Sequence, residues 1–86
     1  MKIRFAKKFE KRMKKLPSKL KGRIVETIEI FAKNPNAKLL RNHALKGGLS
    51  GRRAISVTGD VRIIFREYED YTLVLMLDVG SHNQVY

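Results

Sequence analysis

The sequence predicts an α+β fold, with a short N-terminal strand and a basic helical hairpin packed on a C-terminal antiparallel sheet. Three observations lead there. Apolar residues recur at helical spacing up to residue 34 and at a spacing of two from residue 52 onward. Between these blocks, NHALKGGLSG (42–51) carries three glycines and reads as a loop.

The elements follow in order. KIRF (2–5) alternates enough for a first strand. Phe5, Phe9, Met13 and Leu16 are spaced by 4, 4 and 3, one apolar stripe on a helix whose other positions are mostly Lys and Arg. Pro17 stops this helix, and Ser18 is placed to cap the next. The second stripe is Leu20, Ile24, Ile28 and Phe31, widened by Val25 and Ala32. It ends at Asn34-Pro35, because a residue before proline avoids the helical region. A connector with Leu39 and Leu40 leads to the glycine loop. Strands then span 52–59, 61–68 and 71–80, the last two joined by a turn at Glu69-Asp70.

Side-chain alternation sorts the strands into two faces. Ile55, Val57, Val61, Ile63, Phe65, Leu73, Leu75, Leu77 and Val79 form the face for the helices to cover. Arg52, Ala54, Ser56, Arg62, Ile64, Arg66, Val74, Met76 and Asp78 form the other. A single β-bulge would move residues from one face to the other. Three arginines make the second face unusual for a plain solvent surface.

At 86 residues, 43% of them apolar, the chain suits one domain (1–86) with a single modest core. It lacks cysteine, which excludes a disulfide framework and a thiolate metal site. No apolar run nears the roughly 20 residues of a membrane span, and no apolar segment follows the basic start as in a signal peptide. A cytoplasmic location without membrane contact is expected. The charge is +11, and it is lopsided. Residues 1–46 hold 15 basic and 3 acidic side chains, residues 47–86 hold 4 and 5. Such an excess favours a polyanionic partner, since a small domain otherwise bears the self-repulsion alone.

The chemistry-bearing residues are few. Two histidines 39 positions apart with no cysteine do not make a zinc site, so no metal and no cofactor are expected. Gly47-Gly48 lacks the Lys-Ser/Thr of a phosphate-binding loop and reads as a turn. His43, Lys46, Arg52, Arg53, Asp60, Arg62, Arg66, His82 and Tyr86 remain, all near strand ends. Cleaving RNA through its own 2′-OH requires a base, an acid and positive charge for the phosphorane, and these residues can supply all three. Each taken alone has an ordinary reading. A histidine in a loop is commonly a surface group, and Asp60 after a glycine is favoured for local turn bonding.

Taken together, N-H-A-L-K-G-G-L-S-G-R-R (42–53), G-D-V-R-I-I-F-R (59–66) and D-V-G-S-H-N-Q-V-Y (78–86) resemble the RelE/ParE superfamily of bacterial toxins, in particular its YafQ-like branch. The resemblance covers the chain in element order, and its specific part is residues 42–86. It implies a RelE-like fold and the toxin of a type II toxin–antitoxin system. The implied activity is a ribosome-dependent mRNA endoribonuclease, inhibited by a cognate antitoxin in a hetero-oligomer. His43, Asp60, His82 and Tyr86 match the catalytic positions, with His82 foremost. Arg52, Arg53, Arg62, Arg66 and Lys46 are expected at phosphates, and the basic hairpin at ribosomal RNA. Ser56 stands where the YafQ pattern has another histidine, and Val61 where it has a tryptophan. Two other readings stay open: a ParE-like toxin that inhibits DNA gyrase by contact, and a nucleic-acid-binding domain or inactive homologue. An amphipathic or acidic antitoxin segment is expected on the basic surface, reaching an Ile64/Val74/Met76 patch.

Overall fold

The computed structural model describes residues 1–86. Strand β1 (Lys2–Phe5) leads into helices α1 (Lys7–Lys14) and α2 (Ser18–Lys33). A 3₁₀ turn at Lys38–Leu40 precedes the two-residue strand β2 (His43–Ala44), and another at Gly47–Leu49 precedes β3 (Arg53–Ser56). The long strands β4 (Val61–Tyr68) and β5 (Leu73–Ser81) follow, then a one-turn helix α3 (His82–Val85). The sheet order is β1-β5-β4-β3-β2. The C-terminal strands β2 to β5 are antiparallel as expected, and the N-terminal β1 joins them parallel to β5, which makes the whole sheet mixed.

The hairpin forms as its stripes dictate, with two adjustments. Ser18 is the first helical residue and its side chain makes no capping bond, Pro17 holding the cap position in extended geometry. Val25 and Ala32 face outward, and Thr27 takes the buried place instead, its hydroxyl donating to the Arg23 carbonyl at 2.8 Å. That bond satisfies a hydroxyl that would otherwise be stranded in apolar surroundings.

Phe9, Ile24 and Phe31 of the helices pack on Ile55, Ile63, Phe65, Val74, Met76 and Val79 of the sheet. Phe31 and Phe65 meet edge to face at 4.9 Å. Truncating a ring this enclosed to alanine costs about 3–5 kcal/mol. Strands β3 and β4 present the faces that alternation predicts, and β5 departs from it. Ile64 pairs with Asp78 while Phe65 pairs with Met76, so Leu77 is an extra, bulged residue. The bulge sends Val74 and Met76 into the core, fully buried. It leaves Leu73 and Leu75 outside the core cluster. Ile64 is buried under α3, in a small cluster with Ala54 and Val85. The expected Ile64/Val74/Met76 surface patch therefore does not exist.

The β4–β5 connection spans residues 69–72, longer than a two-residue Glu69-Asp70 turn. Glu69, Asp70 and Tyr71 all have positive φ, at 51°, 53° and 67°. Such backbone is sparsely populated by non-glycine residues and persists only where other bonds enforce it. Here Glu67 accepts the Tyr71 N–H at 3.0 Å, and the Tyr71 ring packs on Phe31 and Phe65.

Candidate functional site

The face opposite the hairpin is where α3 sits. Paired residues of neighbouring strands point to the same side. The row His43–Ala54–Ile64 and the row Ser56–Arg62–Gly80 therefore share this face. Val85 is the foot of α3, buried against Ala54 and Ile64.

A four-residue helix does not hold itself together. Ser81 and Gln84 form a reciprocal capping box, each side chain taking the other residue's backbone N–H. The chain therefore does not turn at Gly80. Strand β5 runs through Gly80 to Ser81, and Gly80 is buried beneath Gln84. The His82 N–H donates to the Asp60 carbonyl at 3.0 Å, tying α3 to the β3–β4 turn. Residues 82 and 86 lie one turn apart, and their rings meet edge to face at 4.2 Å. Both are exposed above the sheet. Partial burial of the Tyr86 phenol raises its pKa above the usual 10.0, and the nearby Arg62 charge offsets part of that rise. Tyr86 is therefore a neutral phenol at physiological pH.

Asp60 stands at the tip of the β3–β4 turn, exposed. The Thr58 hydroxyl accepts the N–H groups of Asp60 and Val61 at 3.3 and 3.0 Å, which shapes the turn locally. Arg62 braces the same turn, its guanidinium donating to the carbonyls of Thr58, Val61 and Gly59 at 2.8, 3.2 and 3.2 Å. It also lines a cleft of about 180 Å³ with Ser56 and Arg41.

His43 is exposed on the edge strand, and its Nδ1 lies 2.8 Å from the Arg41 carbonyl. A carbonyl only accepts, so Nδ1 carries the proton and neutral His43 has its lone pair on Nε2. Arg41 was not among the sequence candidates. It holds a left-handed backbone at φ 50°, a conformation sparsely populated by non-glycine residues and concentrated at functional sites. No residue type in NPNAKLLRNH announces that strain.

The other expected residues divide. Arg52 lines a second cleft of about 310 Å³ on this face, with Lys8, Ile64, Asp78 and Val85. The Arg66 guanidinium lies over Gly51, whose φ of 88° suits only glycine. Lys46 is exposed at the start of the turn before Arg52. Arg53 is not brought to this face. It pairs with Phe65 on the hairpin side and donates to the Asn42 side chain at 2.8 Å, while Asn42 donates to the Pro35 carbonyl and the Tyr71 hydroxyl.

Comparison with known proteins adds the following. Residues 1–86 match the family described as bacterial toxin of type II toxin–antitoxin system, YafQ. A search of curated sequences gives no significant match. Among solved structures, YafQ from E. coli strain BL21(DE3) superposes with a TM-score of 0.82 at 18% identity, covering 98% of this chain and 96% of that one. The YoeB/ParE toxin from Agrobacterium tumefaciens gives 0.78 at 18% identity, with 95% and 99% covered. The RelBE2 toxin–antitoxin complex from Mycobacterium tuberculosis gives 0.78 at 22%, with 94% and 90% covered.

Proposed function

This chain belongs to the YafQ family of bacterial type II toxins, and from that premise we propose that it is a ribosome-dependent mRNA endoribonuclease needing no metal. The observation that carries the proposal is the locked pair His82–Tyr86, held on a capped helix whose first N–H is bonded to the Asp60 turn. A protein that inhibited a partner by surface contact alone would have no use for so constrained an exposed histidine.

The chemistry is an in-line attack of the ribose 2′-OH on the adjacent phosphate. The 2′-oxygen loses its proton as its bond to phosphorus forms. The 5′-oxygen takes a proton as its bond breaks, leaving a 2′,3′-cyclic phosphate and a free 5′-OH. His82 and His43 exchange these protons, His43 through its free Nε2, with Asp60 assisting at the turn. Arg41, Arg52 and Arg62 line clefts on or beside this face, where the phosphorane's charge would be stabilised. Tyr86, as a neutral phenol, stacks on a base and donates one hydrogen bond. Arg66 and Lys46 serve as outlying phosphate contacts, while Arg53 supports the sheet edge.

The hairpin supplies the approach to ribosomal RNA. Among 19 basic side chains only Lys8 and Arg12 pair with a carboxylate, and both use Asp78. The hairpin's other basic side chains are available to phosphates, so binding should be strongly salt-dependent. A cognate antitoxin, as in the RelBE2 complex, would have an apolar groove of about 370 Å³ between α1 and α2 to cover. Phe5, Phe9, Met13, Val25 and Ile28 line it, with Lys14, Lys21 and one acid, Glu10, beside them. An amphipathic helix with acidic flanks fits that chemistry.

The test is to map cuts on ribosome-bound mRNA with wild type, His82→Ala and Asp60→Ala. Cuts made by wild type and lost in His82→Ala support the nuclease. Equal integrity of the message with both removes it and leaves the gyrase-binding and nucleic-acid-binding readings, which supercoiling and RNA-binding assays would then separate.

A further inference from the structure

Asp78 is buried, 6% exposed, on the face that carries α3. Its Oδ1 accepts the Val79 N–H at 2.9 Å and Arg12 Nε at 3.2 Å, and its Oδ2 lies 3.3 Å from Lys8 Nζ. Lys8 is two-thirds exposed there, whereas the Arg12 side chain is only 29% exposed. Beyond Asp78 the Arg12 guanidinium reaches on, Nη2 donating to the Gln84 carbonyl at 3.4 Å. That carbonyl is among the last of α3 and has no partner inside so short a helix.

The path between the two acceptors crosses Gly80. A Cβ at Gly80 would stand 2.7 Å from Gln84 Oε1 and 3.3 Å from Arg12 Nη1. The bare backbone at Gly80 is therefore what admits Arg12 and the capping glutamine together. Arg12 joins α1, β5 and α3 through one planar fork of donors, a geometry lysine cannot reproduce.

We propose that Arg12 is a positioning residue for the cleavage reaction. Through Asp78 and Gln84 it holds α3 on the sheet, and with it the orientation of His82 and Tyr86. Its neighbour Lys11, with no such partners, acts on RNA by charge. The inference rests on the nuclease reading, and the experiment separates the two.

Arg12→Ala, Arg12→Lys, Gly80→Ala and Lys11→Ala are compared with wild type for kcat and KM on ribosome-bound message. Amide hydrogen exchange at His82 and Tyr86 is measured on the free protein. Arg12→Ala is expected to lower kcat about ten- to a hundred-fold, the effect of a misplaced catalytic group, with KM nearly unchanged and both amides exchanging faster. Gly80→Ala is expected to do the same by displacing Arg12 and Gln84 sterically. Arg12→Lys recovers only part of kcat, and Lys11→Ala raises KM alone. The proposal is overturned if Arg12→Ala behaves as Lys11→Ala does, or if the two amides keep their wild-type exchange in both Arg12→Ala and Gly80→Ala. Should wild type cut nothing, the nuclease reading fails, and the exchange data decide on their own whether Arg12 holds α3.

Discussion

Residues 1–46 carry fifteen basic side chains against three acids, and only Lys8 and Arg12 meet a carboxylate. Residues 47–86 carry four arginines against five acids, and two of the four are hydrogen-bonded within the protein, Arg53 to Asn42 and Arg62 to the β3–β4 turn. Arg12 and the Arg41–His43 segment apart, the first region offers charge without fixed geometry. The second offers geometry with little net charge. Attraction to a polyanion needs only the first, because counterion release is indifferent to which lysine replaces the ion. Proton transfer needs fixed groups, His82 and Asp60 of the second region with His43 at the border of the first, because a base must lie within hydrogen-bond reach of its proton. The two regions should fail in different ways.

The largest separation comes from His82→Ala. Cleavage of ribosome-bound message should fall about a thousand-fold, the worth of a general acid or base, while salt dependence and thermal stability stay as in wild type. A cut rate within tenfold of wild type would remove His82 from the chemistry. Next in size is the converse experiment on the hairpin. Changing Lys11, Lys14 and Lys15 together to Gln should weaken ribosome binding roughly 10- to 100-fold at low salt and flatten the salt slope by about 0.7–0.9 per lost phosphate contact. Single-turnover cleavage of the bound message should be unchanged. An unaltered slope would mean that this face of the hairpin does not meet RNA.

Val85→Ala tests where the regions touch. It removes part of the apolar foot of α3 and should lower unfolding free energy by about 2 kcal/mol in denaturant titrations. Activity should drop further than the unfolded fraction explains. Deleting the last five residues removes that foot entirely, so it should reduce stability as well as cleavage. The smallest effect is expected from Tyr86→Phe, less than about tenfold in rate, since the ring stays and one neutral hydrogen bond goes. Burial raises the Tyr86 pKa above its unfolded value near 10.0. Whatever stability this shift contributes is fully present below the unfolded pKa and is lost as pH rises through the folded one. From about pH 6 to about pH 9 the phenol stays neutral, so the pH–rate profile of Tyr86→Phe should keep the wild-type shape. A wild-type limb in that range that vanishes in the variant would show that the phenol titrates there.

How much of this was legible in the sequence depends on the range of the interactions involved. The two helices were, because Phe9, Ile24 and Phe31 repeat at a period that local backbone geometry sets. So was the α3 face of β3 and β4, since Ala54, Ser56, Arg62 and Ile64 alternate regularly. The parallel seat of β1 beside β5 was not, because long-range pairing leaves no periodic mark. Helix α3 is too short for a hydrophobic period, although Ser81 and Gln84 stand at capping-box spacing and could have revealed it. Arg53 shares parity with Ile55, which already put it on the hairpin side. The left-handed backbone at Arg41 is imposed by its surroundings and no residue type signals it.

The bulge at Leu77 has a consequence for how this chain tolerates change. Along a regular strand, permissive and intolerant positions alternate without interruption. Here the alternation should break phase at one codon. Before it, Val74 and Met76 are the core positions; after it the core position is Val79, one step out of phase, while Asp78 and Gly80 are intolerant as well because α1 and α3 rest on them. A deep substitution scan of β5 should show that discontinuity directly. Because Met76 pairs with Phe65 and Asp78 with the adjacent Ile64, removing the single codon for Leu77 would take out the bulge and leave Val74, Met76 and Asp78 on their present partners, so it should be better tolerated than a one-codon deletion elsewhere in the strand.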